Sequence, residues 1–342
     1  MDVLLYTDPA FWLHDTGLGH PERPQRLEAL VEGVRGGGFD VDERRPATAT
    51  AADLGLVHDP HYIDLIERFC AKGGGKLDAD TMASPESWTA ALLAAGSGLS
   101  AIEALRAEEG HVAVCAVRPP GHHARRDQAM GFCLFNNIAV AAAALSRDGD
   151  RVAIVDWDVH HGNGTQEMFF KSAEVLFVSI HQWGPQPDAP AVPFYPGTGW
   201  LDEVGSGAGR GTTVNVPVPP ATTGGAYQEA FSGLVRPVVE QFDPDWLLIS
   251  AGFDAHRSDP LAHIGLVEAD YAALAAQLVD LGPTILFTEG GYDLEALKGS
   301  MTATLNGFDG AAITTGSSRS PDAAFRLISQ ATSMAEESGA LT

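Results

Sequence analysis

Short, β-rich apolar runs alternate along this chain with longer stretches of helical periodicity. The runs are Val3–Tyr6, Val112–Val117, Val152–Val155, Val175–Ile180, Trp246–Ser250 and Thr284–Thr288. Between them, Glu22–Arg35, Pro85–Ala107, Asn136–Leu145, Ala226–Phe242 and Glu268–Leu281 place apolar residues at helical spacing with few breakers. This alternation predicts an α/β fold: one mainly parallel sheet with helices on both faces. Ligands of such a sheet gather at the carboxyl ends of its strands.

The polar chemistry follows the apolar runs. Arg118-Pro119-Pro120-Gly121-His122-His123 comes directly after Val117, Asp156 to His160 after Val155, Gly252-Phe253-Asp254 shortly after Ser250, and Glu289-Gly290-Gly291-Tyr292 after Thr288. Four loops are therefore expected on one rim. The Gly- and Pro-rich stretch Pro185–Gly211 reads as long loops rather than a linker, and no internal repeat is evident. After Phe308 the composition turns to Gly, Ser, Thr and Ala, and Ser320-Pro321 carries a helix-start signal. The expected division is a main domain over 1–308 and a tail over 309–342 with a helix signal in it.

Composition narrows the class. At 342 residues, with 45% hydrophobic and 19% charged residues, the chain is globular and can bury a substantial core. Cys70, Cys115 and Cys133 form no CxxC pair, and their odd number argues against a secreted disulfide framework. The N-terminus has no basic leader, and no run reaches the roughly 18 apolar residues of a membrane span. A cytoplasmic protein without a membrane partner is expected. The net charge of -24 disfavours direct nucleic-acid binding and attracts cationic ligands such as lysine-rich peptides or polyamines. Abundant alanine and only four lysines suggest a bacterial gene of high GC content. Oligomeric state is left open.

Asp156, Asp158 and His160 occupy alternate positions after Val155. Alternate side chains of an extended backbone share a face, which suggests a metal cradle at a strand end. A further ligand from elsewhere would leave a coordination position for water, an arrangement suited to catalysis.

Together these loops resemble the signature of the histone deacetylase family, which includes acetylpolyamine amidohydrolases, and point to a class II-like bacterial member. The resemblance runs from about Gly19 to Phe308. Beyond the four loops it rests on His20-Pro21-Glu22-Arg23-Pro24, Gly131-Phe132-Cys133-Leu134-Phe135-Asn136-Asn137 and Tyr195-Pro196-Gly197-Thr198-Gly199, in family order. It implies the arginase/deacetylase-like architecture and a deacetylase catalytic domain over 1–308. It also implies Zn²⁺ held by Asp158, His160 and Asp254, although oxygen-rich ligation suits Fe²⁺ or Mn²⁺ as well.

The resemblance assigns roles to other positions. His122 and His123 correspond to the family's tandem histidines, with Asp156 and Asn163 as their partners. Asn163 stands where some members carry aspartate, and a neutral amide stabilises an imidazolium less than a carboxylate does. His123 is therefore the expected general base and His122 the more cationic ring. Tyr292 would donate to the tetrahedral oxyanion, where one aimed donor contributes about 2.7–4 kcal/mol. Phe132 and Tyr195 would flank the substrate's methylene chain, with Tyr195 replacing a common phenylalanine, and the Gly131 carbonyl would accept the amide N–H. A K⁺ ion would be held near the metal motif by Asp156, Asp158, His160, Ser179 and Ile180, largely through backbone oxygens.

Substrate choice turns on the loop after Asp254. Members specialised for acetylpolyamines place a glutamate after the Asp-Pro pair, whereas Leu261 follows Asp259-Pro260 here. The expected reaction is hydrolysis of an acetyl-lysine amide in a peptide or protein, with acetylpolyamine deacetylation as the alternative. An arginase-like ureohydrolase needs an Asp-x-Asp pair in this loop, but Asp254 is followed by Ala255 and His256. A non-catalytic acyl-lysine binder would have no use for Tyr292, both histidines and all three metal ligands.

Overall fold

The computed structural model describes residues 1–186, 189–311 and 319–342. Residues 187–188 of the Pro185–Gly211 loops and 312–318 of the expected tail lie outside the described residues. Eight strands make the main sheet: β1 (Asp2–Tyr6), β2 (Asp40–Arg44), β3 (Val112–Cys115), β4 (Val152–Asp156), β5 (Val175–Gln182), β6 (Thr213–Val218), β7 (Trp246–Ala251) and β8 (Thr284–Thr288). Their spatial order is β6-β5-β4-β7-β8-β3-β1-β2, and every neighbouring pair is parallel.

This order explains why the chemistry converges. β3, β8, β7 and β4 are neighbours at the centre of the sheet, and because all run the same way, their carboxyl ends open onto one rim. Every residue of these four strands is buried. Their continuously apolar sequences are therefore what a sheet covered on both faces requires.

The edges were harder to read from sequence. β2, Asp-Val-Asp-Glu-Arg, is polar because it borders only β1. β6 holds Pro217, which an edge strand tolerates because one side of its backbone needs no partner.

Helix Ser87–Arg106 is long and apolar enough by composition to cross a membrane, contrary to the expectation that no such stretch exists. It instead lies against the sheet, where Gly98 lets it approach Phe287 of β8. The expected helix Ala226–Phe242 is interrupted by a π-helical turn over Phe231–Val235, just before Pro237. Proline has no N–H for the regular ladder there. Helix Glu268–Ala276 ends before Leu281. Helices Pro60–Ala71 and Leu294–Phe308 add to those expected.

Pro185–Gln186 and Ala189–Pro193 pair as a small antiparallel ribbon leading into Phe194 and Tyr195. In the tail, helix Asp322–Ser338 packs along edge strand β6 and buries Ala324, Ile328, Ala331 and Ala335.

Candidate active site

β4 ends at Asp156, and the chain then turns rather than continuing extended. Asp156 Oδ1 accepts the Asp158 N–H at 3.1 Å, and Asp158 Oδ1 accepts the His160 N–H at 2.8 Å. The expected alternation on one face therefore gives way to a chain of short side-chain-to-backbone bonds. Asp156 leaves the cluster and meets His122 Nδ1 at 3.0 Å through Oδ2.

Asp158 and His160 are joined by Asp254 from the loop after β7. One ligand atom from each lies within 4.8 Å of the others. His160 Nδ1 sits 3.2 Å from Asp158 Oδ1 and 3.1 Å from Asp254 Oδ2. Backbone donors aim both carboxylates: the Gly290 N–H bonds Asp158 Oδ2, and the Val159 N–H bonds Asp254 Oδ1, each at 2.8 Å. Residue 290 must be glycine, since a Cβ there would lie 2.1 Å from Asp254 Oδ2. Among the described residues this is the one group of three or more such side chains able to hold a metal. His256, at the second carboxylate position of the ureohydrolase pattern, instead lies 3.6 Å from Glu268.

The site is crowded with negative charge. Burial pushes the Asp156 carboxyl up to about 6 against the opposing charge of His122, pushes Glu289 up to about 7, and raises Asp254. Burial alone would discharge the imidazoles. At His122 the charges of Asp156, Asp158 and Glu289 outweigh it, and at His160 the hydrogen bonds and charges of Asp158 and Asp254 do, so both rings rise to about 10; a divalent ion held by Asp158 and Asp254 would take the place of the His160 proton. His123 goes the other way. Burial, reinforced by the charges of His122 and His160, holds it well below the ordinary imidazole value.

The tandem rings, with centroids 4.0 Å apart, are thus shifted in opposite directions, His122 toward the charged form and His123 toward the neutral one. Asn163 Oδ1 fixes His123 by pairing with its Nδ1 at 2.8 Å.

A cavity of about 780 Å³ opens above these groups, lined by Asp158, His160, His122, His123 and Tyr292 together with Gly131, Phe132, Tyr195 and Leu261. Tyr195 stands edge-on to His123 at 5.1 Å, and Phe132 edge-on to Tyr292 at 6.0 Å. Gly131 has φ +57°, and a Cβ there would meet the His123 ring at 2.3 Å. Burial keeps the Tyr292 phenol protonated far above neutral pH, so it can serve as a donor. Ser179 of β5 pairs in register with Asp156, and its hydroxyl meets His181 Nδ1 at 3.0 Å; Ile180 follows it in the same strand.

Several groups around the cavity had no assigned role. Phe194 stacks on His160 with the rings 5.1 Å apart and 6° from parallel. Glu289 Oε2 accepts the N–H groups of Gly121 and His122 at 2.7 and 3.2 Å, tying the tandem-histidine loop to the Tyr292 loop. The Arg26 guanidinium lies 4.9 Å from the Tyr292 ring centre and bonds the Gly291 and Glu289 carbonyls. Of these, Glu289 falls inside a motif string, Glu289–Tyr292, whereas Arg26 lies just past His20–Pro24 and Phe194 just before Tyr195–Gly199, where no motif signalled them.

Comparison with known proteins agrees with this geometry. The histone deacetylase domain family matches residues 20–308. The chain is 39% identical to the histone deacetylase-like amidohydrolase of Pseudomonas aeruginosa, over 80% of this chain and 73% of that protein. It is 37% identical to a probable deacetylase of Archaeoglobus fulgidus, over 88% and 85%. A crystal structure of the HDA15 HD domain superposes with a TM-score of 0.89 at 35% identity, covering 98% of this chain and 96% of that one.

Proposed function

This chain belongs to the histone deacetylase family of amidohydrolases, and on that premise we propose that it is a zinc-dependent deacetylase of acetyl-lysine side chains. Water and the amide become a free amine and acetate. The observation that carries this reading is the shared cavity: the Asp158, His160 and Asp254 cluster, the imidazole pair and the Tyr292 phenol all line it or lie directly beneath it.

The donor set suits Zn²⁺: two buried carboxylates and an imidazole, with room on the cavity side. When bound, the ion polarises the amide carbonyl and acidifies the attacking water. His123, neutral and oriented by Asn163, takes that water's proton and returns it to the leaving nitrogen. His122, charged beside Asp156, supplies fixed positive potential next to the developing oxyanion. Tyr292 donates its phenol proton in a hydrogen bond to the same oxygen. Phe132 and Tyr195 flank the methylene chain, and the Gly131 carbonyl accepts the amide N–H. A K⁺ ion at the backbone of Asp156, Asp158, His160, Ser179 and Ile180 would stiffen the loop that carries two of the ligands.

Leu261 supports acetyl-lysine over acetylpolyamine, because it puts an apolar side chain at the cavity mouth. Asp80 lines the same cavity and favours the polyamine reading. The test compares kcat/KM on an acetyl-lysine peptide and on N-acetylputrescine. A preference for the peptide of about tenfold or more is expected. The reverse preference would overturn the substrate choice.

A further inference from the structure

Asp259 touches no reacting atom, yet it holds two walls of the cavity at once. Its Oδ2 accepts the Tyr292 N–H at 2.7 Å, and its Oδ1 accepts the Leu261 N–H at 2.9 Å. The residue is 7% exposed, so water does not compete freely for either bond. Its own N–H bonds the His256 carbonyl at 2.9 Å, and His256 N–H bonds the Phe253 carbonyl at 3.2 Å, a relay that reaches back to the neighbour of Asp254. One short loop therefore carries a metal-cluster carboxylate, the anchor of the Tyr292 backbone and the substrate-facing leucine.

Burial pushes the Asp259 carboxyl up to about 7, and the Leu261 and Tyr292 N–H bonds oppose that rise by favouring the carboxylate. Two N–H donors on different segments converge on one side chain, and each is accepted by its own oxygen. An asparagine of the same shape would turn an N–H₂ toward one of them, leaving a buried donor facing another donor.

What the anchor governs follows from the neighbours of Tyr292. Its ring is bracketed by Arg26 and Phe132, contacts that engage the ring but not the backbone of Tyr292. The backbone N–H bonded to Asp259 fixes where the side chain starts. Gly290 and Gly291 before it are bonded to Asp158, Phe253 and Arg26, and the Asp259 bond is the one that ties Tyr292 itself to the turn carrying Leu261.

We infer that Asp259 is a positioning residue for the hydrolysis, locking the Tyr292 oxyanion donor to the turn that presents Leu261 to substrate. This inference rests on the deacetylase reading above.

The test is a double-mutant cycle with Asp259→Asn and Tyr292→Phe in the metal-loaded full-length protein, assayed on an acetyl-lysine peptide with metal content and thermal unfolding measured alongside. Asp259→Asn is expected to lower kcat by about 10–100-fold with one metal per chain retained. Added to Tyr292→Phe, it should cost little more, because the donor it positions is already gone. Should Asp259→Asn not fold, Asp259→Glu takes its place in the cycle and the same non-additivity is required. Wild-type kcat in the single variant, fully multiplicative losses in the double variant, or loss of fold in both substitutions would overturn the inference. If the unaltered protein cleaves no acylated amine, the deacetylase reading falls and the inference falls with it.

Discussion

Two buried ionic clusters lie almost back to back in this molecule, and they are built on opposite plans. In the first, the Glu22 carboxylate is gripped by Arg118 at 2.5 and 2.7 Å and by Arg26 at 3.1 Å. Burial favours the neutral acid, but Arg118 and Arg26 outweigh it and hold Glu22 down to about 2. His14, 3.6 Å away, is pushed down to about 4 chiefly by burial and adds no charge near neutral pH. In the second, Asp156, Asp158, Asp254 and Glu289 share a small volume, and three of the four carboxyls are pushed up.

The first cluster sets two guanidinium groups against one carboxylate, and their remaining N–H groups bond the Phe11, Gly291 and Glu289 carbonyls, so it has no use for a further cation. The second has surplus negative charge, which a divalent cation would neutralise. Burial alone does not separate structural from functional charge; the balance of partners does.

The comparison predicts that damage to each cluster appears in a different measurement. The largest effect should come from the metal-side group: His123→Ala is expected to lower kcat by about 10²–10⁴-fold, with the thermal unfolding midpoint little changed. A collapse of stability instead would make His123 a core residue.

Next comes Glu22→Gln, which leaves two guanidinium groups buried without their carboxylate. It should destabilise by about 3–5 kcal/mol while the pH profile of the remaining activity keeps its shape. The folded-state value of Glu22 is depressed from 4.5 to about 2, so its stabilisation is present in full above pH 4.5 and is lost as pH falls toward 2. Unfolding curves of wild type and variant should converge across that window, and a gap constant down to pH 2 would contradict the pairing.

Legibility in the sequence differed between the same two regions. The metal-side cluster could be read because each ligand directly follows an apolar run, and parallel strands deliver such positions to one rim. Even there, the turn after Asp156 was hidden. Alternation predicted three side chains on one face, but side-chain-to-backbone bonds from Asp156 and Asp158 redirect the chain.

The Glu22 cluster could not be read from spacing at all, because Arg118 lies 96 residues from Glu22 and loop positions supply both. Helix Leu294–Phe308 was obscured by its own glycines. Gly307 has a packing reason that periodicity does not reveal: a Cβ there would meet the Ala272 carbonyl at 2.3 Å. Polar β2 and proline-bearing β6 escaped notice because edge strands need not be apolar on both faces.

The most direct test of the central claim is the metal content of the purified protein, determined by elemental analysis with Asp254→Asn measured beside it. One divalent ion per chain is expected, with activity abolished by a chelator, restored by Zn²⁺, and both ion and activity largely lost in the variant. Two ions per chain, or full activity in metal-free protein, would contradict the assignment of Asp158, His160 and Asp254 as a single catalytic site.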